Sequence, residues 1–411
     1  MRFRLDKRHY LWQQSADDSL RLTRSRPDQL HASPDDLKHF GGTAEDVPTG
    51  GRTITGVPAS IAAFIGAASR GRSYRAVHIT SFAGFEERFD GVVPNYDLGY
   101  AVQQFFLNGG KDAWVVRVAR QLTAAKVIKG IHALDAVDIF NLLVIPGLKN
   151  SEALYAAADY CRERRAFLIL DAPKSAQTPM QLERAVQEGS LPKTSYGAIY
   201  FPWIDIPDPL NAGHLRLTPP GGSIAGLFAR VDTARGVWKA PAGTDANLVS
   251  VSALSYNLTD SENETLNRLG VNCLRGFRTE TLAWGARTLQ GADAAASEWK
   301  YIPVRRVALF LEESIDRGIQ WAVFEPNAEP LWAQIRLNVG AFLHQLFRQG
   351  AFQGSTPNDA YFVKCDATTT TQNDIDAGLM NVVIGFAPLR PAEFIVLTIS
   401  TKAGRPKNGG N

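Results

Sequence analysis

Three groups of residues have types and spacings that could do chemistry. Gly221, Gly222 and Ser223 open a stretch with helical spacing, 224–231. Free N–H groups at such a helix start can hold an anion, and a serine there can act as a nucleophile. Asp171 ends the apolar run 167–170, and Pro146 and Gly147 follow the run 142–145. They fall where open α/β sheets place ligands, beyond the carboxyl ends of strands. His31, Asp35 and His39 stand four residues apart, a spacing that on a helix puts three metal-ligating groups on one face.

Each group also has a structural reading. Pro34 interrupts the His31, Asp35, His39 set, inside a segment with little apolar surface to hold a site rigid. LILDAP, ending at Pro173, reads as a strand running into a turn. The glycines before Ser223 lack the lysine of a phosphate-binding loop. No histidine sits in a motif that marks a general base: His78 lies in a strand, His132 in a polar helix start, His214 in a loop and His344 beside an apolar helix face. A hydrolase built on Ser223 and Asp171 needs a base within hydrogen-bond reach, and none is signalled. The expectation is no catalytic residue, no cofactor and no metal site.

The elements that would position these residues follow from apolar periodicity. Short apolar runs at 142–145, 167–170 and 198–201 alternate with helical segments at 151–164 and 178–187, the pattern of a parallel sheet covered on both faces. Upstream, 56–66, 76–81 and 113–118 read as strands. Between them 82–89 and 98–107 read as helices, the second stopped by Asn108, Gly109 and Gly110. A helix should begin near Gly222. Strands at 271–277 and 281–289 lead to a boundary at 290–297, rich in Ala, Gly and Asp. Beyond it, Val304, Val307, Ala308, Leu311 and Ile315 predict a helix over 303–316. A short strand at 321–324 follows, stopped by Pro326. Asn327 is placed to cap a second helix that tolerates Pro330 in its first turn and runs to about Phe347. Apolar runs at 361–365, 380–388 and 393–400 complete an α+β module.

Composition bounds the rest. The chain has 411 residues, 45% hydrophobic and 21% charged, which is ordinary for a soluble globular protein but long for one core, since cores stop growing near roughly 250 to 300 residues. A net charge of +3, with bases and acids interspersed, gives no nucleic-acid signature. Cys161, Cys273 and Cys365 are far apart with no CxxC pair, as in a reducing compartment. No apolar run approaches the ~20 residues of a membrane span, and no signal-peptide core is evident, so folding in the cytoplasm is expected. The expected fold is an α/β main domain with a mostly parallel sheet and an α+β C-terminal domain, with extended terminal arms as a further expectation that rests on the family resemblance of the motifs below. The division is 1–55 extension and arm, 56–290 main domain, 291–392 C-terminal domain and 393–411 strand and tail. Residues 1–55 hold too few apolar side chains to bury a face and by themselves should be extended or disordered.

Several long motifs carry a resemblance. TGVPASIAAFIG (55–66), ITSFAGFEERF (79–89), LGYAVQQFFLNGGKDAWVVRV (98–118) and RGVWKAPAG (235–243) resemble the main domain of contractile-tail sheath proteins. WGARTL (284–289), YIPVRR (301–306), QWAVFEPNAEPLW (320–332), TQNDIDAG (371–378) and APLRPAEF (387–394) resemble that family's C-terminal domain, in the family's order. The resemblance implies a structural, non-catalytic subunit of phage tails or extracellular injection systems. It would stack with copies of itself as six-membered rings around an inner tube, shorten to drive that tube through a target envelope, and meet baseplate and tail-terminator proteins. No nucleic acid or membrane is implied as a partner. The particle would be assembled in the cytoplasm and could be released. Terminal arms would add strands to neighbouring subunits, which points to Val47, Ile54, Phe394, Val396 and Thr398. Alternatives are a sheath-related terminator or ring component, or the α/β hydrolase above. One departure stands out: the family begins near AEDVPTGG (44–51), so 1–40 resembles an added extension whose role is open.

Overall fold

The computed structural model describes residues 2–4, 52–118, 122–278 and 280–391. In chain order the elements are β1 (Arg2–Arg4), β2 (Ala62–Ala67), β3 (Ala76–Ile79), α1 (Phe82–Phe89), α2 (Asp97–Leu107), β4 (Ala113–Val118), α3 (Ala124–His132), β5 (Leu142–Val144), α4 (Ser151–Glu163), β6 (Phe167–Asp171), α5 (Pro179–Gln187) and β7 (Gly197–Phe201). Then come β8 (Ile204–Pro207), β9 (Leu215–Thr218), α6 (Gly221–Arg235), β10 (Ala253–Leu254), α7 (Asp260–Arg268), β11 (Val271–Phe277) and β12 (Glu280–Trp284). The last part holds α8 (Ile302–Gly318), α9 (Glu329–Arg348), α10 (Pro357–Ala360), β13 (Tyr361–Lys364), α11 (Gln372–Asp376) and β14 (Asn381–Phe386).

Among the described residues, eight strands form the main sheet in the order β12, β11, β7, β6, β5, β2, β4, β3. The inner pairs are parallel, and the outer strands β3 and β12 join antiparallel. Strands β2, β5, β6 and β7 are buried along their whole length, so they read as unbroken apolar runs. Side chains alternate between two cores because successive Cβ atoms point to opposite faces. Ala62, Phe64, Val144 and Ile169 meet α1, α2 and α6 through Phe85, Phe105 and Phe228. Ala63, Ile65, Leu143 and Leu168 meet α3, α4, α5 and α7 through Ile131, Ala157, Leu182 and Leu266. Caps fix the helix starts: Ser81 and Asn150 accept N–H bonds at α1 and α4, and Thr178 and Thr259 form capping boxes with Gln181 and Glu262. A hairpin of β8 and β9 with β10 makes a second, small sheet.

A third core joins α8 and α9 to the last sheet, through Leu311, Ile315, Ile335, Val339, Leu343, Val382 and Ile384. Ile54 belongs to this core, at 2% exposure. The folded part therefore begins before Thr55, contrary to the sequence expectation, and Gly318 is the reason: a Cβ there would lie 2.7 Å from Ile54 Cγ1. At the far end of the same region, β1 pairs antiparallel with β14, so Arg2–Arg4 is an ordered strand within the stretch expected to be extended or disordered.

Four other expectations are corrected. The run 56–61 precedes the strand, which starts at Ala62. The expected strand 321–324 is a 3-10 turn, Gln320–Ala322, followed by Phe324 at φ 75°. Ile319 and Ala322 continue the buried stripe of α8 instead of pairing with a neighbour. Asn327 does not cap α9, whose N-cap Ala328 has no side-chain bond. Its amide instead accepts from Trp332 Nε1 (2.8 Å) and donates to the Leu379 carbonyl (2.8 Å), tying the turn to the β14 lead-in. The strand expected over 281–289 stops at Trp284, because Asn272 captures the backbone N–H and carbonyl of Arg287 and turns the chain. The expected strand 393–400 lies outside the described residues, as do Val47, Phe394, Val396, Thr398, His31, Asp35 and His39.

Gly222 sets how closely α6 approaches α2: a Cβ would sit 2.2 Å from the Ala101 carbonyl oxygen. Gly222→Ala is expected to destabilise the fold by ~3 kcal/mol, since backbone must move to admit the methyl. At Gly276 an added Cβ meets nothing within 4 Å, so Gly276→Ala is the control. Urea unfolding of the two variants compares them, and equal midpoints would contradict the close approach.

Candidate functional site

The residues with chemical potential are held in architecture. Ser223 is fully buried in α6 and its Oγ donates to Gln104 Oε1 of α2 at 3.1 Å. A buried hydroxyl facing a buried amide cannot meet a substrate, which removes the nucleophile reading. Asp171, Gly147 and Gly221 do come together, but around each other. Asp171 Oδ1 accepts from Gly221 N (2.7 Å) and Oδ2 from Gly147 N (3.1 Å). The N-terminus of α6 is thus satisfied by the protein's own carboxylate, the role an external anion would otherwise fill. Trp203 Nε1 donates to the Ala172 carbonyl (2.8 Å) and closes the same corner. Burial pushes the Asp171 carboxyl up to about 7, against the lowering effect of its two N–H donors. Among the described residues no cluster of three or more His, Cys, Asp or Glu could hold a metal ion. The three cysteines are buried thiols.

The polar groups that do converge lie where α8 meets the α/β layer. Arg306, 3% exposed, grips Asp232 of α6 with two bonds, Nη1 to Oδ1 at 2.8 Å and Nη2 to Oδ2 at 2.5 Å, and Nη2 also donates to the Ala59 carbonyl at 2.9 Å. Arg305 donates through Nε and Nη2 to Ser195 Oγ (3.1 and 2.8 Å). Its guanidinium stacks 3.5 Å from the Trp299 ring centroid and 4.3 Å from that of Tyr196. Arg165, in the left-handed turn after α4 (φ 51°), bridges Glu313 and Asp316 at 2.8 Å each. Arg317 bonds Asp138 at 2.8 and 3.1 Å and Glu313 at 2.6 Å. It holds the Asp138 carboxyl below its usual range. Arg287, 1% exposed, donates to the Asn267 carbonyl (2.8 Å) and Asp293 (2.9 Å) beneath the linker to α8. A polar cleft of about 210 Å³ lies beside this joint, lined by Asp138–Asn141, Glu163–Arg165 and Glu313.

Sequence reasoning singled out none of these arginines for a role. The available signal was Arg305 and Arg306 standing inside an apolar helical start: residues 302–309 of α8 are buried on every side. A guanidinium there must be paired, because an isolated buried charge is prohibitively unfavourable.

The second notable feature is the last sheet. Here β14 lies between β13 and β1, with Lys364 and Arg2 both opposite Val383. One face carries Val382 and Ile384 into the third core. The other carries Phe362, half exposed, over Gly385 on the facing strand.

Side chains that converge on a joint and a sheet edge, with the serine sealed inside, describe a structural protein. The comparisons agree. The central domain of the phage tail sheath protein matches residues 121–289, and the phage tail sheath C-terminal domain matches residues 294–402, together more than half of the chain. The chain belongs to the contractile tail sheath family and is a structural subunit of that kind. It is similar to the sheath of an extracellular contractile injection system, PVC, in the contracted state (29% identity, TM-score 0.73, covering 88% of this chain and 97% of that one). It is also similar to the helical sheath of the anti-feeding prophage (AFP) in the contracted state (27%, TM-score 0.72, 88% and 99%). The tail sheath protein of Vibrio phage KVP40 is 27% identical over 184 residues, which is 44% of this chain and 26% of that protein's own length.

Two predictions follow from these contacts. Arg306→Met leaves Asp232 buried without its partner and is expected to cost about 3 to 5 kcal/mol, most of it recovered when Asp232→Leu is added. Denaturant midpoints of the two single variants and the double variant measure this, and a double variant no better than Arg306→Met would contradict the pairing. Ser223→Ala should stay near wild type, whereas Asp171→Asn faces one backbone N–H with an amide donor and should lose ~1 to 3 kcal/mol at pH 4. The folded carboxyl value lies above the ordinary one of 3.8, so its stabilising contribution is full below pH 3.8 and lost as pH rises through about 7. The deficit of Asp171→Asn should therefore narrow towards pH 7.5. A widening deficit would mean that the fold holds the carboxylate ionised.

Proposed function

We propose that this protein forms the sheath of an injection-system-like particle: a helical stack of six-membered rings around an inner tube, attached to a baseplate and closed by a terminator, that shortens to drive the tube through a target envelope. The observation that carries this reading is similarity over nearly the whole length of two contracted sheath subunits, against a quarter of the phage relative's length. No reaction belongs to this function. A heterologous contact that repeats without closing makes a helical lattice, and each subunit must move within it as one body. The guanidinium joint on α8 suits that demand, since bidentate ion pairs fix orientation as well as distance.

The subunit divides into an extension and arm (1–55), a main domain (56–290), a C-terminal domain (291–392) and a strand with tail (393–411). Val47, Phe394, Val396 and Thr398 belong to the arms that link subunits. Ile54 is the point at which the N-terminal arm is anchored in its own subunit, because its side chain fills the third core. Assembly takes place in the cytoplasm, followed by release of the particle.

The purified protein alone should form rings or wide tubes in negative-stain microscopy, because the shortened lattice is the lower-energy state. Monodisperse monomer at high concentration and low salt would count heavily against this. A deletion of residues 1–40 should still assemble. A deletion of residues 1–51, which keeps Ile54 in its pocket, should fold but fail to build long regular sheaths, and Val396→Pro should weaken any strand pairing by removing a backbone donor. Long sheaths from the 1–51 deletion would show that the N-terminal arm does not link subunits.

A further inference from the structure

Among the described residues, β14 is internal to its sheet because the first residues of the same chain cover it. Arg2, Phe3 and Arg4 pair with Val383, Val382 and Asn381, while β13 occupies the other side. Without β1, β14 and β13 would form a two-stranded ribbon with β14 presenting a row of unpaired N–H and C=O groups, a ready template for a strand from another molecule. Of the β14 residues that pair with it, Val382 is fully buried and Val383 is not.

The cover is short. Among the described residues three residue pairs make the contact, and residues 5–51 separate it in sequence from Arg52, whose guanidinium lies 4.7 Å over the Trp321 ring, and from Ile54 in the third core. A chain of that length spans at most ~160 Å, far more than a return to its own domain requires. Its strand is nevertheless always attached, so it competes for the β14 edge at an effective concentration set by the tether and not by the bulk. About a tenth of this chain lies outside its match to the sheath chains to which it is similar.

We propose that the N-terminal strand Arg2–Arg4 is an intramolecular brake on assembly: it occupies the β14 edge of the free subunit and must leave before a second copy can use that edge. This rests on the sheath reading above. A brake of this kind raises the concentration at which the lattice forms and leaves its final form unchanged, because the many contacts of the lattice together outcompete three residue pairs.

The test compares the full chain with a triple variant, Arg2→Pro, Phe3→Pro and Arg4→Pro, which fixes φ and removes every N–H of the strand, and with a variant lacking residues 2–4. In dilute, monomeric protein, amide hydrogen exchange within 381–383 should be at least ~10-fold faster in both variants, as expected when a strand loses its neighbour. In light scattering, both variants should assemble at a several-fold lower threshold concentration and with a shorter lag, giving sheaths of the same diameter. Unchanged exchange would show that the edge is not covered. An unchanged threshold would remove the brake, and a raised one would make the strand a link between subunits; either result overturns the proposal while leaving the sheath reading intact. No lattice from any of the three proteins overturns both.

Discussion

The structure depends on what is done with the guanidinium groups of α8. Four of the five arginines at the joint reach across it: Arg305 and Arg306 from the start of the helix, Arg317 from its end and Arg165 from the sheet side. A buried ion pair adds little net stability, because both charges give up their water, but a misplaced partner is severely unfavourable. That asymmetry turns the pairs into a geometric constraint. Helix α8 can sit on the α/β layer in one orientation only, and the third core is built on the opposite side of the same helix through Leu311 and Ile315. Such a joint holds the helix and the layer beneath it in a fixed relation.

The buried polar groups of the α/β layer work in the same way. Asp171 stands where a ligand would sit in an open sheet, at the end of β6 and against the start of α6, and it fills that place itself. Asn272 and Asn108 act likewise. Asn272 bonds both backbone groups of Arg287, and Asn108 accepts from Val249 N at 2.8 Å, so side-chain amides take the place of a missing strand neighbour. A nucleotide-binding or hydrolytic relative of this architecture would leave such corners open to solvent. Here they are closed, which is how a fold associated with catalysis serves as a rigid block.

The edges are treated differently from the interior. Main-sheet edges β3 and β12 are antiparallel strands flanked by loops, whereas the last sheet has a covered side at β14 and, among the described residues, an unpaired side at β13. Strand addition uses backbone groups that every sequence possesses, so its specificity must come from where an edge is exposed and when. Control of that exposure is consistent with a protein that must fold as a monomer before joining a lattice.

Much of this was legible in the sequence. Apolar runs at 113–118, 142–145, 167–170 and 198–201 lie within a residue or so of β4, β5, β6 and β7, and helical spacing found α1, α2, α4, α5, α6, α8 and α9. Those signals are local: burial on two faces makes an unbroken apolar run, and burial on one face makes a 3.6-residue stripe. The long motifs identified the family, and the absence of a base near Ser223 argued against an enzyme. What the sequence could not decide depends on partners distant along the chain. Whether 321–324 is a strand depends on a neighbour that α8 replaces, and whether Ile54 is arm or core depends on the bare surface of Gly318. Which of the 44 basic residues become structural depends on carboxylates as far away as Asp232 and Asp138. Pairing and burial are properties of three-dimensional neighbourhoods, so they were settled only when the tertiary structure brought those residues together.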